Sequence, residues 1–116
     1  MRTCARCGSE YEWGVHVTLF ADKAGLSKAD ITATLQDVDD ASAMPASELS
    51  MLKAVDQLHD DSQIDDAAWA ELAQHFTSAQ IVEIITLTGS YHTISFTTNA
   101  LKIELEDFAA RFAQYR

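Results

Sequence analysis

Residues 81–99 read IVEIITLTGSYHTISFTTN, and the structure of this stretch decides the fold class of the whole chain. It is rich in β-branched residues, and Gly89–Ser90 is typical of a two-residue hairpin turn between short strands. A helical period is also present, because five side chains share one helical face: Ile81, Ile84, Ile85, Thr88 and Tyr91. Propensity alone does not choose between a hairpin and a helix, since tertiary packing overrides it.

The chain on either side of this stretch has the patterns of helices. Apolar spacing predicts a first helix from about Thr3 to Lys23, ended by Gly25. Ser27 and Asp30 are predicted to cap a short helix over residues 28–37. A loop is predicted over Asp37–Pro45, where the apolar period is absent. Further helices are predicted to start at Ser47, Asp65 and Thr77. Trp69 is expected to pack in the core.

Composition bounds the class of protein. The chain has 116 residues, 47% of them apolar, which predicts one compact domain over residues 1–116. The formal net charge of −10 repels phosphate backbones and anionic lipids, so we expect no nucleic-acid or membrane partner. No apolar run approaches the roughly 18 residues of a membrane span, and the N-terminus lacks the apolar stretch of a secretory signal. These features predict a cytoplasmic protein.

Two overlapping pairs in CARCGSEYEWGVH, residues 4–16, are candidates for chemistry. Glu12 and His16 stand four residues apart and so are neighbours on one helix face. A carboxylate beside an imidazole orients the ring and stabilises its charged form, which suits general acid–base catalysis. Cys4 and Cys7 form a C-x-x-C pair, but zinc would need further ligands, and the sequence places none nearby. His59 is expected at a solvated helix end.

Several motifs resemble one family in order and spacing. They are YEWxxH at residues 11–16, AGLS at 24–27, AVDQLH at 54–59, IDDAAW at 64–69 and GSYH at 89–92. Together they resemble the alkyl hydroperoxidase D/carboxymuconolactone decarboxylase family, in its branch with a YEWxxH signature, over roughly residues 9–104. The resemblance implies an all-α fold, residues 81–99 as one long buried helix, and homo-oligomers from dimers to hexamers. Longer relatives carry helices before this motif, so it also implies a naturally short member or a truncated chain.

There are three functional hypotheses, and the resemblance distinguishes the first two of them. Peroxidase members carry C-x-x-C-x-x-x-H, whose thiols would fall at the positions of Ser9 and Glu12, whereas decarboxylase members keep a Glu and a His. The first hypothesis is therefore an acid–base enzyme acting on a small lactone or carboxylated molecule. Its catalytic residues are Glu12 and His16, its substrate-binding residues are Ser9, Tyr11 and Tyr91, and it needs no cofactor or metal.

The second hypothesis is a thiol-dependent alkyl hydroperoxidase that uses Cys4 and Cys7. On one continuous helix, Cys7 and His16 would lie roughly 180° apart in azimuth and about 13 Å apart along the axis, so His16 could not serve the thiols. The third hypothesis is a non-catalytic helical oligomer that keeps the fold alone.

Overall fold

The computed structural model describes residues 1–41 and 44–116, and over these it contains helices and no strand. The fold is therefore all-α, as predicted. In the described residues six α-helices follow one another: α1 Arg2–Arg6, α2 Glu10–Phe20, α3 Lys28–Ala33, α4 Ala46–Asp61, α5 Asp66–His75 and α6 Ser78–Ala100. Two short 3₁₀ turns lie at Val38–Asp40 and Phe112–Gln114. None of the helices in the described ranges has the length and apolar character needed to cross a membrane.

Residues 81–99 form the greater part of one uninterrupted helix, α6. The hairpin alternative is wrong and the helical one is confirmed, but the expected burial of the whole helix is wrong, since the buried residues of α6 are Ile81, Thr88, Ser95 and Thr98. Thr77 begins the helix with a reciprocal cap, because its hydroxyl accepts from the Gln80 amide and the Gln80 side chain accepts from the Thr77 amide. Gly89 stays within the helix. The β-branched residues are accommodated because α6 packs on α1, α2 and α4, which outweighs their modest helix propensity.

The first helix was predicted to be continuous, and this prediction is wrong. Gly8 has a φ of +66°, a backbone conformation that glycine adopts without the usual penalty, and it divides the segment into α1 and α2. The C-terminal end is also shorter than predicted, because α2 ends at Phe20 and the chain then turns to Gly25, whose φ is +71°. The separation between Cys7 and His16 that was expected on one continuous helix therefore does not apply.

The predicted starts of two later helices hold. Ser27 and Asp30 form a reciprocal cap at the start of α3, and the Asp65 carboxylate accepts from the Ala68 amide at the start of α5. The helix after Ser27 ends at Ala33, earlier than expected. The predicted loop contains a 3₁₀ turn, and two of its residues, Ser42 and Ala43, lie outside the described residues.

The core that positions α2 is built on Trp13, which is fully buried. Its indole N–H donates to Thr34 Oγ1 at 2.9 Å, and its ring packs on Phe112 with centroids 5.1 Å apart. Phe112 belongs to the C-terminal segment, which crosses α2 so closely that a Cβ on Gly14 would lie 2.1 Å from the carbonyl oxygen of Ala110. The absence of a side chain at Gly14 thus allows this segment to close the core.

A largely buried ion pair joins α1 to α4. Arg2 is 6% exposed, and its guanidinium binds both carboxylate oxygens of Asp56 and donates to the Thr34 carbonyl. Because a buried charge is costly without partners, this pair fixes the position of α1 against the bundle. Trp69, expected in the core, is 44% exposed on α5, so that prediction is wrong.

Candidate functional site

Glu12 and His16 contact one another on α2, as their spacing predicts. The His16 Nδ1 atom lies 3.1 Å from Glu12 Oε1 and 3.0 Å from the Glu12 backbone oxygen. Both oxygens are acceptors only, so the proton of the neutral ring belongs on Nδ1. Both side chains are largely buried, which protects this contact from competing water.

Tyr91 of α6 contacts the other side of the same imidazole. Its hydroxyl lies 2.9 Å from His16 Nε2, and the two rings meet edge to face with centroids 5.3 Å apart. With the proton on Nδ1, Nε2 accepts, and the phenol donates to it. Burial, with further contributions from the Glu12 carboxylate and the Cys4 thiol, raises the pKa of Tyr91 and keeps the phenol protonated. Glu12, His16 and Tyr91 thus form a continuous chain of hydrogen bonds.

A cleft of about 370 Å³ lies beside Tyr91, between the start of the chain, α4 and α6. Its wall is mostly apolar, with Met51, Leu52 and Val55 from α4 and Ile84 from α6. Such a volume with few polar groups is typical of a site for a small, mainly apolar molecule. Tyr91 is the residue that lines the cleft and also contacts His16.

The other two predicted substrate-binding residues do not line this cleft. Ser9 is fully buried, and its hydroxyl pairs with Thr98 Oγ1 at 2.8 Å, which joins the start of α2 to α6. The Tyr11 hydroxyl donates to the exposed Glu106 carboxylate of the C-terminal segment. Both residues hold elements together in this structure.

The two thiols have different surroundings. Cys4 is fully buried and Cys7 is half-buried, and burial raises the pKa of both thiols. The Ser95 hydroxyl lies close enough to both thiols to oppose that shift. Within the described part of the chain, this buried hydroxyl has no hydrogen-bond partner of ordinary geometry. Burial therefore disfavours the thiolate form at both positions.

Cys7 lies beside a second pair of side chains that sequence reasoning missed. Its Sγ is 3.7 Å from His59 Nδ1 of α4, and His59 Nδ1 is 2.9 Å from His92 Nε2 of α6. The break at Gly8 turns Cys7 toward α4, so His59, expected in solvent, is half-buried between a thiol and an imidazole. The three residues lie on separate elements, and no spacing in the sequence could have joined them.

Searches against protein-family models, curated proteins and solved structures found no match to this chain. The family resemblance described above therefore stays a prediction. The class that the fold and the site define is an all-α protein with a half-buried Glu–His–Tyr hydrogen-bond chain beside an apolar cleft.

Proposed function

We propose that this protein is an acid–base enzyme acting on a small molecule, with His16 as the proton acceptor and donor and Glu12 as its orienting partner. One observation carries the proposal: Tyr91 lines the cleft and also hydrogen-bonds His16 Nε2 at 2.9 Å. A substrate in the cleft would therefore reach the imidazole through the phenol.

The proton transfers follow from the hydrogen bond between Glu12 and His16, the hydrogen bond between His16 and Tyr91, and the contact of a bound substrate with Tyr91. A substrate acid gives its proton to the Tyr91 oxygen as the phenol proton moves to His16 Nε2, and the Glu12 carboxylate offsets the charge of the imidazolium. The reverse transfer returns a proton to a substrate carbon or oxygen. Because the phenol and the imidazole are already in hydrogen-bond contact, this relay needs no rearrangement of the protein.

The cleft and the family resemblance together support the substrate class. The cleft suits a small molecule with an apolar body, and the resemblance to decarboxylase members favours a lactone or a carboxylated compound. Asp30 and Glu48 also line the cleft, and their carboxylates disfavour a substrate with several negative charges. We therefore propose an uncharged lactone or a monocarboxylate.

The test is turnover of a panel of small unsaturated lactones and monocarboxylates, followed by product analysis. We expect His16→Gln and Tyr91→Phe each to lower kcat by at least about 100-fold on any compound that reacts, since general acid–base groups contribute about that much. His75→Gln, at an exposed position of α5, is the matched control. Turnover that survives His16→Gln would contradict the proposal.

A thiol-dependent hydroperoxidase is the second candidate, and the contact between Cys7 and His59 favours it. The sequence named no base for the thiols, and in this structure the base would be His59. Loss of alkyl hydroperoxide reduction in a Cys4→Ser, Cys7→Ser double variant, with His16→Gln fully active, would place this candidate first. A chain with neither activity would fit the third hypothesis, a non-catalytic helical oligomer.

We also propose that copies of this chain associate with one another through α6. Val82, Ile85 and Phe96 are exposed and lie within about 60° of one another around the helix axis. A monomer rarely leaves such a face in water, and a second copy presents an identical apolar face. The resemblance to an oligomeric family supports the same association.

A further inference from the structure

We propose that Cys7, His59 and His92 bind a divalent metal ion of the zinc class. Each residue offers one donor atom, and the three donor atoms all lie within 4.8 Å of one another. The residues come from three elements of the fold: the turn after α1, α4 and α6. A thiolate with two imidazoles is a donor set that zinc prefers over calcium or magnesium.

Two of the three distances between donor atoms fit a tetrahedral ion after a small adjustment, and the third, from Cys7 Sγ to His92, lies within 4.8 Å. Bond lengths of about 2.3 Å to sulfur and about 2.05 Å to nitrogen place a sulfur and a nitrogen about 3.6 Å apart, and two nitrogens about 3.3 Å apart. Cys7 Sγ and His59 Nδ1 are 3.7 Å apart, which already matches. His59 Nδ1 and His92 Nε2 are 2.9 Å apart and need to separate by only a few tenths of an ångström.

The surroundings orient the ligands as metal sites require. The Thr88 carbonyl accepts from His92 Nδ1 at 2.8 Å, so the lone pair of the neutral ring lies on Nε2, facing His59. The side-chain amide of Asn99 donates to the Cys7 carbonyl at 2.9 Å and holds the turn that carries the thiol. An ion would replace the proton that His59 Nδ1 now shares with His92.

The charges around the cluster permit a cation. The positive charge of Arg6 acts on His59, but Asp60 and Asp56 pair with Arg6 and offset its charge. All three ligands are half-buried, so an ion can reach them from water. Three protein ligands leave one tetrahedral position for a water molecule or an anionic ligand, as in catalytic rather than structural zinc sites.

This site is independent of the proposed acid–base chain. Tyr91 and His92 are consecutive on α6, but Tyr91 contacts His16 and His92 contacts His59. Loss of metal binding would therefore leave the proposal for Glu12, His16 and Tyr91 intact, and the converse also holds.

The test is a Co²⁺ titration of the untagged, reduced full chain, followed by displacement with Zn²⁺. We expect one equivalent to bind with a thiolate-to-cobalt charge-transfer band, and Cys7→Ser to remove that band. His59→Gln and His92→Gln should each weaken binding at least about tenfold, since even outer partners of a ligand contribute that much. Cys4→Ser and His75→Gln are the matched controls and should bind as the native chain does.

A second measurement needs no variant. Zn²⁺ should slow alkylation of Cys7 in the native chain, as located by peptide mass spectrometry. Absence of both the charge-transfer band and this protection would overturn the proposal. Binding that persists unchanged in His59→Gln and His92→Gln would overturn it as well.

Discussion

Tyr91 and His92 are neighbours in the chain that take part in two separate clusters. Successive residues of a helix point about 100° apart, so one residue contacts α2 and the next contacts α4. Tyr91 reaches His16, and His92 reaches His59. The dipeptide thus places the proposed acid–base chain and the candidate metal site side by side on α6.

The coupling between Glu12 and Tyr91 gives a prediction about ionisation. Burial raises the pKa of Tyr91, and the nearby Glu12 carboxylate raises it further because it disfavours a second negative charge. Glu12→Gln removes that repulsion and should lower the pKa of Tyr91. Ultraviolet pH titration of each chain, with the matching Tyr91→Phe chain subtracted, isolates this residue.

The matched control for this titration is Glu106→Gln. Glu106 accepts from Tyr11 and raises the pKa of that phenol, so its replacement should shift Tyr11 alone. If the pKa of Tyr91 is the same in the native chain and in Glu12→Gln, Glu12 and Tyr91 are not coupled.

At the scale of elements, the contact between α2 and the C-terminal segment is the most constrained. Gly14→Ala would place a methyl group on the Ala110 carbonyl, and we expect it to destabilise the fold by about 1–3 kcal/mol. Gly89→Ala is the control, because a Cβ there meets no other atom within 4 Å. That change should be neutral or stabilise α6 by up to about 1 kcal/mol. Urea unfolding of the two variants measures both effects, and equal stabilities would contradict the packing described here.

The elements also show how far sequence reasoning reaches. The caps at Ser27, Asp65 and Thr77 were predictable because each side chain bonds the backbone three residues away. The helical state of residues 81–99 was not predictable from propensity, since packing against four other helices decides it. The break at Gly8 was missed because the apolar period continues through it.

The same distinction applies to the site. Glu12 and His16 were predictable because they are four residues apart on one helix. The roles of His59 and His92 were not, because their contact depends on how α4 packs against α6 and on the turn at Gly8. Ser9 and Tyr11 were assigned to substrate because they are near His16 in sequence, but their side chains face Thr98 and Glu106 instead.

At the scale of the whole molecule, the apolar face of α6 predicts association. Val82 is 61% exposed near the start of the helix, and Val82→Glu would place a charge within the proposed contact. We expect the native chain to sediment as a dimer or larger assembly at micromolar concentration, and this variant to dissociate. Gln74→Glu, which adds the same charge at an exposed position of α5, should leave the assembly unchanged. A native chain that sediments as a 12.8 kDa monomer would contradict the prediction.

The central claim is that Glu12, His16 and Tyr91 form one proton path, and the tautomer of His16 tests it most directly. Long-range ¹H–¹⁵N NMR at mildly alkaline pH distinguishes a ring protonated at Nδ1 from one protonated at Nε2. We predict an Nδ1 proton facing Glu12 and a bare Nε2 whose ¹⁵N resonance moves in Tyr91→Phe, while the resonances of His75 stay unchanged. A proton on His16 Nε2, or an Nε2 resonance that does not move when the Tyr91 hydroxyl is removed, would contradict the account.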